Sequence, residues 1–231
     1  MAGQHKGQQK GHFQVFCCRK AVKMAYIQEK TKGKKIVSFK FKACLGRDAN
    51  GKQIFKCWTW YPPADLTPTK ARKEAQRVAG VWEEEAVRFF NALLTCDFEF
   101  RCVLQVLITT GLRRGECLGL QWSDIDFQNG TLTVNRSTTY TPECGITVAQ
   151  PKTAHSVRTI PVVPSTLSLL KQLQKQQERE HPATILTGVF VFSRPGEPFE
   201  PRDPSAITRH MKRFVRSAGL PDVSPHDLRH V

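Results

Sequence analysis

The sequence predicts an α+β fold: a small β-sheet packed on one helix, then a mainly α domain carrying a small antiparallel sheet. Two patterns predict the first unit. From Val37 onward apolar and polar residues alternate, placing Val37, Phe39, Phe41 and Ala43 on one face, and Asn50-Gly51 supplies hairpin turn chemistry. A second, aromatic-rich strand follows over residues 53–61, closed by Pro62-Pro63. The second unit is predicted by helical spacing at Phe89, Phe90, Leu93 and Leu94, followed by short β-rich runs between residues 131 and 163.

The elements follow in order. Residues 1–30 alternate basic and polar positions and read as a poorly ordered arm. Thr67 is a helix N-cap with Pro68 at the first helical position, opening a helix over about 69–90. Residues 97–109 form a second, largely buried helix, interrupted by Gly111, and 114–120 resume as a short one. Strands are expected at 131–134, 146–148 and 156–163, joined as one three-stranded sheet. A helix with a Gln/Lys/Glu face spans about 165–180, residues 189–192 are a short buried segment, and 205–218 form a basic amphipathic helix closed by Gly219. Ser224-Pro225 opens a further helix of which only about six residues remain, too few to be stable alone. The expectation is a C-terminally incomplete domain whose uncovered apolar surface promotes self-association.

Charge is distributed unevenly. The 231 residues hold 35 Lys/Arg against 20 Asp/Glu, a net +15. Residues 1–80 carry 18 against 4, and residues 81–231 carry 17 against 16, so nearly all the excess lies in the first third. A field of that size favours a polyanion, above all nucleic acid, although for residues 1–35 a solubilising tail explains it equally well. The later arginines cluster near turns and helix starts, at Arg113, Arg114, Arg158, Arg202 and Arg229, as a phosphate site would need. The longest apolar run, over residues 102–108, is broken by Gln105 and falls far short of the ~18 residues of a membrane span. No apolar leader opens the chain, and the eight cysteines contain no CxxC pair, which reads as reduced, buried thiols.

Three segments carry chemistry. In Thr110-Gly111-Leu112-Arg113-Arg114-Gly115-Glu116, Gly111 turns the backbone and Arg113 lands at a helix start, where an anion is favoured; Glu116 lies three residues on and can orient the Arg. A surface salt bridge is the plainer reading of that pair. In residues 151–161, Lys152 sits on a hairpin turn, where its amine can reach into a cleft or simply face water. In His226-Asp227-Leu228-Arg229-His230, His226 and Arg229 share a helix face, suited to proton transfer and phosphate clamping, with helix capping as the competing explanation. His226 and His230 are spaced as metal ligands, but no third ligand of fitting spacing accompanies them, so no metal is expected.

In this order, T-G-L-R-x-x-E, a hairpin Lys followed by R-T-I-P, and H-D-L-R-H resemble the catalytic domain of tyrosine recombinases, the phage-integrase family, over about residues 86–231. Residues 58–63 and 70–75 resemble the arm-type DNA-binding domain of conjugative-transposon integrases, whose small sheet enters the major groove. The resemblance implies three regions: a basic flexible arm (1–30), an arm-type domain (31–85) and an incomplete catalytic domain (86–231). It implies site-specific recombination through a 3′-phosphotyrosine, with no metal or nucleotide cofactor. Arg113 and Arg229 would hold the scissile phosphate, Lys152 would protonate the leaving 5′-oxygen, and His226 would assist. Glu116 and His230 would support them, and Lys40, Lys42, Lys56 and Trp58 are the candidate groove-facing residues. Implied partners are double-stranded DNA and further recombinase protomers, with no membrane, in a bacterial cytoplasm at the nucleoid. Two parts of the pattern are missing. The three tyrosines, Tyr26, Tyr61 and Tyr140, all precede the H-D-L-R motif, and the helix at Glu83-Glu84-Glu85 leaves no room for a core-binding domain. The expectation is a chain inactive alone; the alternative is a non-catalytic DNA-binding remnant that occupies arm-type sites.

Overall fold

The computed structural model describes residues 24–33, 35–48, 50–150, 157–182, 187–222 and 224–225. Strands β1 (Met24–Lys32), β2 (Lys35–Arg47) and β3 (Gln53–Trp60) form an antiparallel sheet in the order β1-β2-β3. Strand β1 corrects the reading of residues 1–30 as a poorly ordered arm, at least from Met24 onward. Its Ile27 and Glu29 stand opposite Phe41 and Phe39 of β2, a pairing that no local periodicity announced.

The alternation along β2 is correct except at its start. Lys30 pairs with Ser38 but Thr31 with Ile36, so Val37 is the extra residue of a bulge. The bulge shifts the side-chain alternation: Ile36 is buried, whereas Val37, expected on the core face, is 41% exposed. Helix α1 (Pro68–Leu93) packs on this sheet through Ala71, Ala75 and Ala79, spaced one turn apart. Alanines allow the close approach that lets Phe39 and Phe41 fill the space between. Thr67 caps the helix by accepting the Lys70 N–H, and Arg72 clasps Glu29 at 2.8 and 3.0 Å, tying α1 to β1.

Helix α1 then continues without a break into the second unit, where its Phe89 meets Phe214 edge-on at 5.3 Å. The core of that unit is α2 (Phe98–Thr110), capped by Asp97 and buried at every position from Cys102 to Thr109. A helix apolar all round belongs in the middle of a core. Around it stand α3 (Arg114–Leu118), α4 (Pro164–Glu180) and α5 (Pro204–Ser217). Thr109 and Thr166 share a buried hydrogen bond of 3.1 Å between α2 and α4, and Gln177 on α4 links Trp122 to the Val191 carbonyl.

The expected three-stranded sheet forms with different members. Strands β4 (Ile125–Asp126), β5 (Thr131–Val134) and β8 (Arg158–Pro161) pair in the order β4-β5-β8. Strand β7 (Gly145–Ala149) pairs instead with β6 (Ser137–Thr141) in a separate hairpin. The cause is Asp124, whose buried carboxylate accepts from Asn135 Nδ2 at 3.0 Å and Arg136 Nη1 at 2.5 Å. That clamp redirects the chain after Val134. A two-stranded ribbon of β9 (Ser193–Arg194) and β10 (Glu197–Pro201) precedes α5. Among the described residues no helix is long and apolar enough to cross a membrane.

Candidate active site

The site is built at the C-terminal end of α2. Gly111 ends that helix in the left-handed conformation, φ 68°, and its N–H bonds the Leu107 carbonyl at 3.0 Å. Leu112 is buried and anchors the turn. Arg113 comes next, extended, as the N-cap of α3. Its backbone is fixed while its side chain is 62% exposed. A Cβ on Gly115 would collide with the Thr138 carbonyl oxygen and Ser137 Oγ, so the glycine lets α3 lie directly on β6.

Glu116 organises this corner. Its side chain is only 8% exposed, and each carboxylate oxygen takes two donors. Oε2 accepts the Arg113 backbone N–H at 2.8 Å and Arg158 Nη2 at 2.7 Å. Oε1 accepts Arg113 Nη1 at 3.1 Å and Arg158 Nη1 at 3.2 Å. Burial pushes the Glu116 carboxyl up, but the hydrogen bonds and charges of Arg158 and Arg113 outweigh it and hold it below the ordinary carboxylate range. Two guanidiniums against one carboxylate leave one net positive charge at the surface. A fixed, partly exposed guanidinium beside a helix start is suited to a phosphate.

Arg158, grouped by sequence with the phosphate-site arginines, joins this cluster through Glu116, a pairing the sequence did not announce. It lies inside the R-T-I-P stretch, but its partner is 42 residues away, beyond any local spacing rule. Lys152, His226, Arg229 and His230 lie outside the described residues. Two other arginines grouped with a phosphate site are structural. Arg114 reaches Thr208 on α5, and burial lowers its pKa despite the attraction of Asp203. Arg202 bonds Glu99 at 2.8 Å and the Ser193 carbonyl at 3.2 Å.

The four groove-facing candidates do not share a face. Lys40 and Lys42 pair with Thr59 and Cys57 on the side of the sheet away from α1, and the Lys42 ammonium lies 4.9 Å from the centre of the Tyr26 ring. Trp58 stands opposite Phe41 and packs on it at 5.1 Å, within the core shared with α1. Trp58 therefore lies on the opposite face of the sheet from Lys40 and Lys42. Lys56 is paired with Ala43, in register with the Trp58 side rather than the Lys40 side; its side chain lies outside the described residues. A further basic surface lies on α5. Ile207, Met211, Phe214 and Val215 are buried, while Arg209, Lys212, Arg213 and Arg216 are exposed.

Residues 81–231 match the family model described as "Phage integrase family". The chain belongs to the phage integrase family. Among curated relatives of this integrase-family chain, a XerC-like tyrosine recombinase of Caldanaerobacter subterraneus is 36% identical over 135 residues, covering 52% of this chain and 34% of that protein. The ICEBs1 integrase of Bacillus subtilis is 29% identical over 153 residues, covering 64% and 40%. The chain therefore spans well under half the length of these relatives. Among solved structures, the Tn1549 transposon integrase bound to a circular intermediate DNA superposes with a TM-score of 0.53 at 22% identity, covering 73% of this chain and 51% of that one. The XerA recombinase superposes with a TM-score of 0.50 at 23% identity, covering 64% and 45%. These likenesses place the chain in the integrase fold, with its mixed α and β catalytic domain.

Proposed function

We propose that this integrase-family chain takes part in site-specific DNA strand exchange of the kind its relatives' names describe, with double-stranded DNA and further protomers as partners. The observation that carries the proposal is the guanidinium of Arg113, fixed at a helix start by Glu116 and presented to solvent. Arg113 and Arg229 clamp the scissile phosphate and stabilise the charge that develops on its oxygens. Lys152, on the connection between β7 and β8, protonates the leaving 5′-oxygen. His226 assists proton transfer, and His230 supports it. Glu116 holds Arg113 in place and does not touch the phosphate. The attacking group is a tyrosine hydroxyl, which forms a 3′-phosphotyrosine and conserves the bond energy for rejoining. No metal or nucleotide is required. Residues 31–85 bind arm-type sites through the outer face of the sheet, where Lys40 and Lys42 stand, and the basic face of α5 follows the backbone near the core site. Such a protein works in the bacterial cytoplasm, at the nucleoid.

The test uses the protein expressed from its open reading frame read to the stop codon, mixed with nicked suicide duplexes taken from the ends of the element that encodes it. An SDS-resistant protein–DNA adduct that disappears with Arg113→Ala is expected. Duplex binding without any adduct supports the second reading instead, a protein that occupies arm-type sites without transferring strands.

A further inference from the structure

The N-terminal unit has an inner surface that its own helix leaves open. Helix α1 packs over β1 and β2, whereas β3 forms the border of the sheet. Among the described residues no strand pairs with the other side of β3. At the C-terminal end of β3 a groove of about 810 Å³ lies between Trp60, the loop that follows it and the flank of α1. Trp60, Leu66 and Val78 line it with apolar surface, and Tyr61 stands at its lip, 68% exposed. Trp60 is held in place by Phe39, with ring centres 5.7 Å apart, so this surface is preformed.

The groove is also charged. Lys70 and Lys73 line it from α1, both exposed. Arg77 and Glu74 line it too, but Arg77 donates to Glu74 at 2.6 and 3.0 Å, so that pair cancels. Two lysines remain as uncompensated charge beside an apolar floor.

We propose that this groove and the free edge of β3 form a docking site for an extended, acidic protein segment that carries a bulky apolar side chain. The segment adds a strand to β3 by backbone hydrogen bonds, the mode in which an edge supplies affinity and adjoining pockets supply specificity. Its apolar side chain fills the floor at Trp60, Leu66 and Val78. Its carboxylates meet Lys70 and Lys73. Residues 1–23 of this chain are poor occupants on charge: they hold Lys6, Lys10, Arg19, Lys20 and Lys23 and no acidic residue, and in sequence they precede β1, the strand at the opposite border. A nucleic-acid strand is disfavoured because it cannot pair with the free edge of β3 and leaves Leu66 and Val78 without an apolar partner. The site is separate from Lys40 and Lys42, which stand on the other face, so duplex and segment can be held together.

The test uses the full chain and a fluorescein-labelled peptide of ~10 residues, enough to cover β3 at ~3.3 Å per residue, alternating Glu/Asp with Val/Phe. Its control has Lys in place of each acid, and an unlabelled single-stranded oligonucleotide serves as competitor. The acidic peptide is expected to bind at least about tenfold more tightly than the control. Lys70→Glu with Lys73→Glu is expected to remove that preference, and Tyr61→Ser to weaken binding. Bound peptide slows amide exchange across residues 53–60, and Lys40→Glu with Lys42→Glu weakens duplex binding without weakening peptide binding. Equal binding of the two peptides, displacement by the oligonucleotide, or binding with no protection of β3 each overturns the proposal. So does an unchanged affinity in the lysine variant when its melting temperature matches wild type.

Discussion

The two ends of α2 each hold a sequestered glutamate against arginine, and the two carboxyls are driven in opposite directions. At the C-terminal end Glu116 meets two guanidiniums and a backbone N–H, which hold its pKa below the ordinary range. At the N-terminal end, among the described residues, Glu99 meets Arg202 alone, and its Oε1 is buried with no hydrogen-bond partner. Burial there pushes the carboxyl up from 4.5 to about 7, with Arg202 only partly opposing. The number of donors, rather than the presence of an arginine, decides whether a sequestered carboxylate keeps its charge. The end with the saturated carboxylate is also the end that presents Arg113. The other end closes the fold around the β9–β10 ribbon.

Removing the Glu99 carboxyl changes stability most. The folded chain holds the Glu99 proton up to about 7, the unfolded chain only up to about 4.5. The folded state therefore binds more protons in that window, and stability falls as pH rises through it. Glu99→Gln is expected to remove that fall and to stabilise the chain above neutrality by up to about 3 kcal/mol. Melting temperatures recorded from pH 4 to 8 check it, and a wild-type profile flat over that range would contradict the assignment. Next is Gly115→Ala, which forces a methyl into the β6 backbone. A loss of about 2 kcal/mol is expected, read by urea denaturation, with Glu99 unaffected.

Glu116→Gln sharpens the contrast. Its lowered pKa means that the stability it contributes is complete above the ordinary carboxylate range and is lost as pH falls through the lowered value. The substitution weakens four charge-assisted hydrogen bonds to partly exposed arginines. A cost of about 1–2 kcal/mol at neutral pH is expected, with a shallower acid limb in the same melting series. The smallest effect is expected for Arg72→Ala in the N-terminal unit. Its ion pair with Glu29 is exposed, so the melting temperature should barely move in moderate salt.

Much of this architecture is legible in local sequence. Thr67-Pro68 and Asp97 mark the helix starts, Gly111 marks the α2 end, and the buried run of α2 reads directly from its composition. What escapes local reading depends on distant partners or on a single inserted residue. The bulge at Val37 reverses one position of the alternation along β2, because pairing register is set by the neighbouring strand. Strand β6 and its hairpin with β7 follow from the Asp124 clamp on residues eleven and twelve positions away. At the site, Arg113 and Glu116 are recognisable from a three-residue spacing, whereas Arg158 joins them only through the β5–β8 pairing. Trp58 shows the same limit: alternation tells which residues share a face, and only the packing of α1 tells which face is covered.

The role proposed for Arg113, a guanidinium that Glu116 holds ready for a phosphate, is tested by the salt dependence of duplex binding by wild type and Arg113→Gln, compared at matched melting temperature. Each phosphate contact contributes about 0.9 to the slope of log K against log salt. Arg113→Gln is expected to lower the magnitude of that slope by about 0.9 while Arg72→Gln leaves it unchanged. An Arg113→Gln slope and affinity identical to wild type would contradict it.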